Sequence, residues 1–265
     1  MSRLSSLPTA LQRALGEQRL LKVIAGLTNL DATAVTRIAR AARAGGADLV
    51  DIACDPDLVA RVAEAAPGLP ICVSAVEADA FPAAVAAGAA MAEIGNFDAF
   101  YPLGRVFGAD EVLELTRRTR RLLPGVVLSV TVPHVLPLDE QEQLAVALAE
   151  AGADLIQTEG GTSARPVSSG VLGLIEKAAP TLAAAHALSR ALAAADRPVP
   201  VLCASGLSRV TVPMAIAAGA AGVGVGSAVN RLEDELAMVA EVRALRQALP
   251  ARVGSAAVVR SEPSA

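Results

Sequence analysis

Three carboxylates, each lying in an apolar β-branched run, are the groups of this chain best suited to proton transfer: Asp51 in ADLVDIA, Glu93 in MAEIGNF and Glu159 in ADLIQTE. Carboxylates crowded into one mouth can have their pKa values pushed apart, so that one holds a proton while another takes one. His134 follows the run VVLSVTV directly and can exchange a proton near neutral pH, and Asn96 follows Glu93 by three residues, where it could orient a substrate. For each acid the alternative is a purely structural hydrogen-bonding role.

The second chemistry is anion binding. ASGLS and AGVGVGSAVN place Ser205, Gly206, Gly226 and Ser227 after two successive runs, where glycine lets the backbone approach an anion and free N–H groups can hold it. The spacing matches neither GxGxxG nor GxxxxGK[ST], which excludes both common nucleotide loops as motifs. Gly160, Gly161, Thr162 and Ser163, expected to add anion contacts, open a long Gly/Ser/Thr-rich segment, EGGTSARPVSSGVLGLIEKAAP, that reads as a lid ahead of a helix starting near Thr181. Tight glycine packing and a plain surface excursion are the competing readings.

Aromatic residues are scarce, with four Phe, one Tyr and no Trp, yet Phe97, Phe100, Tyr101 and Phe107 all fall in NFDAFYPLGRVFGADE. Phe100 and Tyr101 are expected to cover a ligand while Arg105 meets an anionic group; a satellite core or a subunit contact would explain the same residues. Lys22 is a tempting imine-forming lysine, but strand alternation assigns it to the outward face. His186 reads as an ordinary helix residue. No set of His, Cys and acidic residues has metal-ligand spacing, so no metal is expected, and nothing calls for Mg²⁺ on Asp51 or Glu93.

The elements that must position these groups are legible as an alternation. Candidate strands at 21–27, 47–53, 70–76, 91–97, 126–132, 153–159, 200–207 and 221–227 alternate with Ala-rich segments of helical period. Eight such units predict an α/β chain folded as a single (β/α)₈ TIM barrel, with an open doubly wound sheet as the rival. An internal repeat strengthens the count: AGGADLVDIA, AAGAAMAEIG, EAGADLIQTEG and AAGAAGVGVGS begin alike and fall on the even strands. Aligned on it, Asp51, Glu93, Gln157 and Gly224 share one column, and Ala53, Gly95, Glu159 and Gly226 share the next, on the same face. The odd strands give Ala25, Ser74, Thr131 and Ser205.

An amphipathic helix over 1–18 precedes the barrel at 19–250, and a patternless tail follows at 251–265. With 53% hydrophobic residues and a net charge of −4, the chain is not built for general binding to nucleic acid or acidic membranes. No apolar run is long enough for a membrane span, and three dispersed cysteines suit a reducing cytoplasm. TRRTRRLL, at the end of the helix after strand 4, reads as a solvated face.

LKVIAGL, DLVDIA, LPICVSAVE, EIGNFDAFY, LSVTVPH, LPLDEQ, IQTEGGTS, GLIEKAAPTL, CASGLS and GVGVGSAVN together resemble a family of conserved hypothetical proteins of cyanobacterial and plastid genomes, grouped under a domain of unknown function. The resemblance spans roughly 20–245. It implies a phosphate-binding barrel of the triosephosphate-isomerase type and carries no established reaction. Strands 7 and 8 also look like the phosphate grip of thiazole synthase, of the tryptophan and histidine biosynthesis barrels, and of flavin-dependent nitronate monooxygenases. The chain lacks a well-placed Schiff-base lysine for the first of these and a late catalytic histidine for the last. The leading expectation is a lyase, isomerase or synthase working by acid/base chemistry on a small phosphorylated metabolite. An FMN oxidoreductase and a non-catalytic phosphometabolite-binding or scaffold protein are the alternatives, and a homo-oligomer is left open.

Overall fold

A computed structural model describes residues 3–250. Eight parallel strands close into a barrel in sequence order: β1 Leu20–Gly26, β2 Leu49–Ala53, β3 Ile71–Ala75, β4 Met91–Ile94, β5 Val127–Thr131, β6 Leu155–Gln157, β7 Val201–Ala204 and β8 Gly222–Val225. The open doubly wound sheet is thereby excluded, because β8 pairs with β1 from Leu20↔Gly222 to Val23↔Val225. The helices are α1 Thr9–Gly16, α2 Ala32–Gly45, α3 Pro56–Ala65, α4 Phe81–Ala86, α5 Ala109–Leu122, α6 Leu138–Glu150, α7 Gly170–Ala194, α8 Val212–Ala217, α9 Ser227–Asn230 and α10 Glu235–Ala248.

Capping and periodicity explain the longer helices. Asp31 and Asp55 accept hydrogen bonds from the first amides of α2 and α3, and Gly46 ends α2 in the left-handed region at φ 86°. Val35, Ile38, Ala39 and Ala42 form the buried stripe of α2 against the strands. The glycines of the repeat, Gly46, Gly88, Gly152 and Gly219, all take positive φ, which turns the chain from helix toward strand.

The expected N-terminal helix is a 3-10 turn, Arg3–Ser6, followed by α1. Leu7, Leu11, Ala14 and Leu15 pack with Leu20, Leu49, Cys72, Met91, Val127, Leu155, Leu202 and Ala221, so α1 plugs the N-terminal end of the barrel. The expected tail at 251–265 lies outside the described residues.

Three expectations are corrected. β1 shows Lys22 to the barrel interior, where it is fully buried, and not to the helix layer; Ala25 belongs to the outer core. Apart from Lys22 itself, LLKVIAG is apolar on both faces, so alternation alone could not set its parity. The lid expected up to Thr181 is shorter, because α7 starts at Gly170 and continues through Pro180. Glu176 accepts from the amides of Val167 and Ser168 and from Ser168 Oγ, closing the remaining loop onto the first turns of α7. In α5, Arg120 is not solvated: it bonds Gly152 O, Leu123 O and Val126 O and pairs with Asp154 at 2.7 Å.

Candidate active site

Inside the barrel, one layer above the apolar plug, the strands converge on a charged cluster. Lys22 Nζ lies 2.6 Å from Glu93 Oε2 and 3.7 Å from Asp51 Oδ2, with all three side chains essentially unexposed. Burial works against the ammonium, but the charges of Glu93 and Asp51 outweigh it and raise the Lys22 pKa, so the group is a fixed cation. Burial likewise raises Asp51 to about 6, opposed by Lys22 and helped by Glu93. Gln157 Nε2 donates to Glu93 Oε1 at 2.7 Å, and Ser74 Oγ donates to Asp51 at 2.6 Å. The even-strand column of Asp51, Glu93 and Gln157 thus meets in space. Gly224 completes it as the small member: a Cβ there would lie 2.9 Å from Ala204 Cβ and from Ile24 Cδ1.

A second network lies above, at the C-terminal ends of the strands. Glu159, 3% exposed, accepts from Tyr101 Oη at 2.5 Å and from His134 N at 3.2 Å, and its Oε1 lies 3.2 Å from His134 Nδ1. Burial raises the Glu159 pKa against the hydrogen bonds of His134 and Tyr101, with the Asp98 charge adding to the rise. Burial opposes the His134 charge, yet the hydrogen bond and charge of Glu159, with Asp98, raise that pKa also. Both shifts run upward, and the 3.2 Å contact places carboxyl and imidazole where a proton can pass between them. Burial and the neighbouring carboxylates push the Tyr101 phenol up, keeping it a donor.

Asp98, which the sequence reading missed, joins this network to the anion edge. It accepts from Ser205 Oγ at 2.8 Å and from Ser163 Oγ at 3.2 Å, and lies 3.6 Å from His134 Nδ1. Its only signal in the sequence is a position two residues beyond Asn96. Among the described residues, Asp98, His134 and Glu159 are close enough to share a cation. Their facing oxygens are already engaged by Tyr101, the His134 amide and the two serines, so the set reads as a satisfied hydrogen-bond network.

The upper network borders a cavity of about 240 Å³ lined by Asn96, Asp98, Thr158, Glu159, Thr162, Ser205, Gly206, Gly226, Ser227 and Asn230, with Ile24, Gly26, Leu27 and Thr28 on the β1 side; the lower cluster reaches it only through Asn96. Ser205 and Gly206 are both left-handed, at φ 75° and 74°, which turns the chain sharply at the end of β7. Strand alternation has ended there, so Ser205 does not share the column of Ser74 and Thr131. In α9 the first amides to close back are those of Val229 and Asn230 onto Gly226 O, leaving the N–H groups of Ser227 and Ala228 outside the first closed turn. Asn230 Nδ2 donates to Ile24 O at 2.8 Å and ties α9 to β1. Thr162 N donates to Ser205 Oγ at 2.9 Å, so the β6 and β7 loops form one edge.

Other expected residues sit differently. Gly160 and Gly161 are buried; Gly161 packs backbone to backbone on Gly206, where a Cβ would lie 2.4 Å from Gly206 Cα. Phe100 and Arg105 do not line the cavity, which corrects their assignment as its cover. Phe107 packs against Phe97 and edge-on against Phe100, with Arg105 over its ring and paired with Glu111; these rings extend the main core and do not form a satellite one. Phe100 instead borders a neighbouring cleft with Leu27, Leu30 and Cys54. Tyr101 reaches the site as the Glu159 donor. His186 is exposed on α7, and all three cysteines are free thiols.

The family model described as protein of unknown function (DUF561) matches residues 6–254, and the chain belongs to that family. Its relatives include the uncharacterized protein ycf23 of Cyanophora paradoxa, 42% identical over 85% of this chain and 90% of that protein. The Porphyra purpurea protein of the same description is 36% identical over 88% and 86%. Among solved structures the fold is similar to a 3-hexulose-6-phosphate synthase, at TM-score 0.59 and 17% identity over 87% of this chain and 100% of that one. It is also similar to the thiamine phosphate pyrophosphorylase of Pyrococcus furiosus, at TM-score 0.56 and 17% identity over 89% and 97%. At such identities these likenesses establish the TIM-barrel fold and leave the reaction open.

Proposed function

We propose that this member of the family is an enzyme that binds a small phosphorylated metabolite and moves a proton on it, as a lyase, isomerase or synthase. The observation that carries the proposal is one cavity bordered on one side by Ser205, Gly206, Gly226 and Ser227 and on the other by Glu159, backed by His134 and Tyr101. Phosphate would sit against the β7 and β8 edges, with its carbon chain directed toward Glu159. Glu159 would take the proton, His134 would relay it, and Tyr101 would hold the carboxylate in place. Two of the similar barrels carry phosphate compounds in their names, which supports a phosphorylated ligand. At about 240 Å³ the cavity falls below the roughly 300–1,000 Å³ of sites for drug-sized ligands, which favours a small ester over FMN. The separation of the Phe100 and Phe107 rings from the cavity weakens the FMN alternative further.

The test has two parts. Inorganic phosphate at 100 times its dissociation constant should stabilise the protein by about 2.7 kcal/mol, read as a rise in Tm. Proton NMR in D₂O with triose and pentose phosphates should then show carbon-bound hydrogen exchanging with wild type and not with Glu159→Gln. Binding without exchange on any ester would favour the non-catalytic binding protein; no stabilisation by phosphate would end the proposal.

A further inference from the structure

Asn96 has a geometry that specifies more than a polar wall. It follows Gly95 at the end of β4 in the left-handed region, at φ 63°, and lines the cavity. Its Nδ2 lies 3.3 Å from Asp51 Oδ2, 3.3 Å from Glu93 Oε1 and 3.5 Å from Ser74 Oγ. Ionised carboxylates only accept hydrogen bonds, so the amide must turn its NH₂ group down to them whatever enters above. The Lys22 ammonium holds those carboxylates in position from beneath. The side-chain atom left over is Oδ1, a pure acceptor, which has no hydrogen-bond partner within the described residues and is not among the buried unpaired atoms.

An acceptor at that point can be satisfied by a ligand only if the ligand brings a proton. A phosphate dianion, a carboxylate or an alkyl chain brings none; a hydroxyl or an N–H group does, and the hydroxyl is the donor that the carbon chain of a simple phosphate ester carries. We infer that the substrate is a hydroxylated phosphate ester of the sugar or polyol type, and that Asn96 selects it by accepting a hydrogen bond from a free hydroxyl through Oδ1. Lys22, Asp51 and Glu93 are positioning residues that hold the amide in this orientation. The inference rests on the proposed phosphate-binding function and adds the chemical class of the carbon chain. A site built to bond a substrate hydroxyl discriminates strongly against an analogue that lacks it, because its own polar group is then buried unpaired.

The experiment is calorimetric titration of the full chain at pH 7.5 with inorganic phosphate, with glycerol 3-phosphate and ribitol 5-phosphate, and with propyl and pentyl phosphate as chain-length matches. Wild type should bind at least one polyol ester tenfold or more tightly than its alkyl match. Asn96→Gly keeps the left-handed backbone while deleting the amide; it should bring the pair within about twofold and leave the inorganic phosphate affinity unchanged. Lys22→Met should lower the selectivity in the same way without lowering the inorganic phosphate affinity. Equal binding of polyol and alkyl esters by wild type, or full selectivity retained in Asn96→Gly, overturns the inference while phosphate binding stands. No binding of inorganic phosphate or of any ester overturns the proposed function, and the inference with it.

Discussion

Lys22 is held without solvent exposure between two carboxylates, and the balance of charge around it depends on pH. The folded chain holds the Asp51 proton to about 6, against an ordinary value of 3.8. A group whose folded pKa is raised contributes stability that is full below the unfolded value and is lost as pH rises through the folded one. For Asp51 that window runs from about 4 to about 6 and just beyond. Lys22→Met removes the cation and leaves Asp51 and Glu93 buried together, which should cost about 3–5 kcal/mol at pH 7.5. The loss should shrink as pH falls to 5 and Asp51 takes up its proton, and a second change, Glu93→Gln, should restore part of it. Urea denaturation of the variants across this range reads the effect; a loss independent of pH would show that Lys22 contributes packing only. The same geometry argues against Lys22 as an imine-forming residue, which must be neutral to attack a carbonyl.

At the scale of elements, the site is a meeting of loop ends, and two glycines set how close they come. Gly161 after β6 and Gly206 after β7 touch through their backbones, and Thr162 N then reaches Ser205 Oγ. Gly161→Ala would push a methyl into Gly206 Cα and Ser205 O, so the two loops must part. We expect phosphate affinity to fall tenfold or more while the far-ultraviolet circular dichroism stays that of the wild type. Much of this layout was legible from residues alone. Asp51, Glu93 and Gln157 stand out because a polar group in the middle of an apolar strand recurs at the same place in three of the four repeats, and the barrel then joins those strands around one axis. Lys22 is misplaced by alternation because the rest of β1 is apolar on both faces, so only the distant partners Asp51 and Glu93 decide which face turns inward. Asp98 and the Tyr101 contact escaped for a related reason: the loop after β4 folds irregularly, and no sequence period says which of its side chains meets Glu159.

Across the whole molecule the barrel divides its work between two ends. The N-terminal end is filled by Leu11 and Leu15 of α1 against the lowest strand layer, all apolar; the C-terminal end holds the carboxylates, the imidazole and the glycine edges. The charged layer of Lys22, Asp51 and Glu93 lies between them, so a change in packing below must cross a rigid ion cluster to reach the cavity. In barrels of this kind the lower face serves stability and the upper face serves ligand chemistry, and the closed ring of strands makes the two separable. Leu11, 1% exposed, offers the comparison. Leu11→Ala should lower stability by about 2–5 kcal/mol through lost burial and the cavity left behind. Because it leaves the β6, β7 and β8 loops untouched, phosphate affinity measured well below the lowered Tm should stay within about twofold of wild type. Gly161→Ala should show the opposite pattern, with affinity lost and stability changed much less. Parallel losses of stability and affinity in both variants would mean that the plug and the mouth form one cooperative unit, and that the anion edge depends on the whole barrel and not on its own loops.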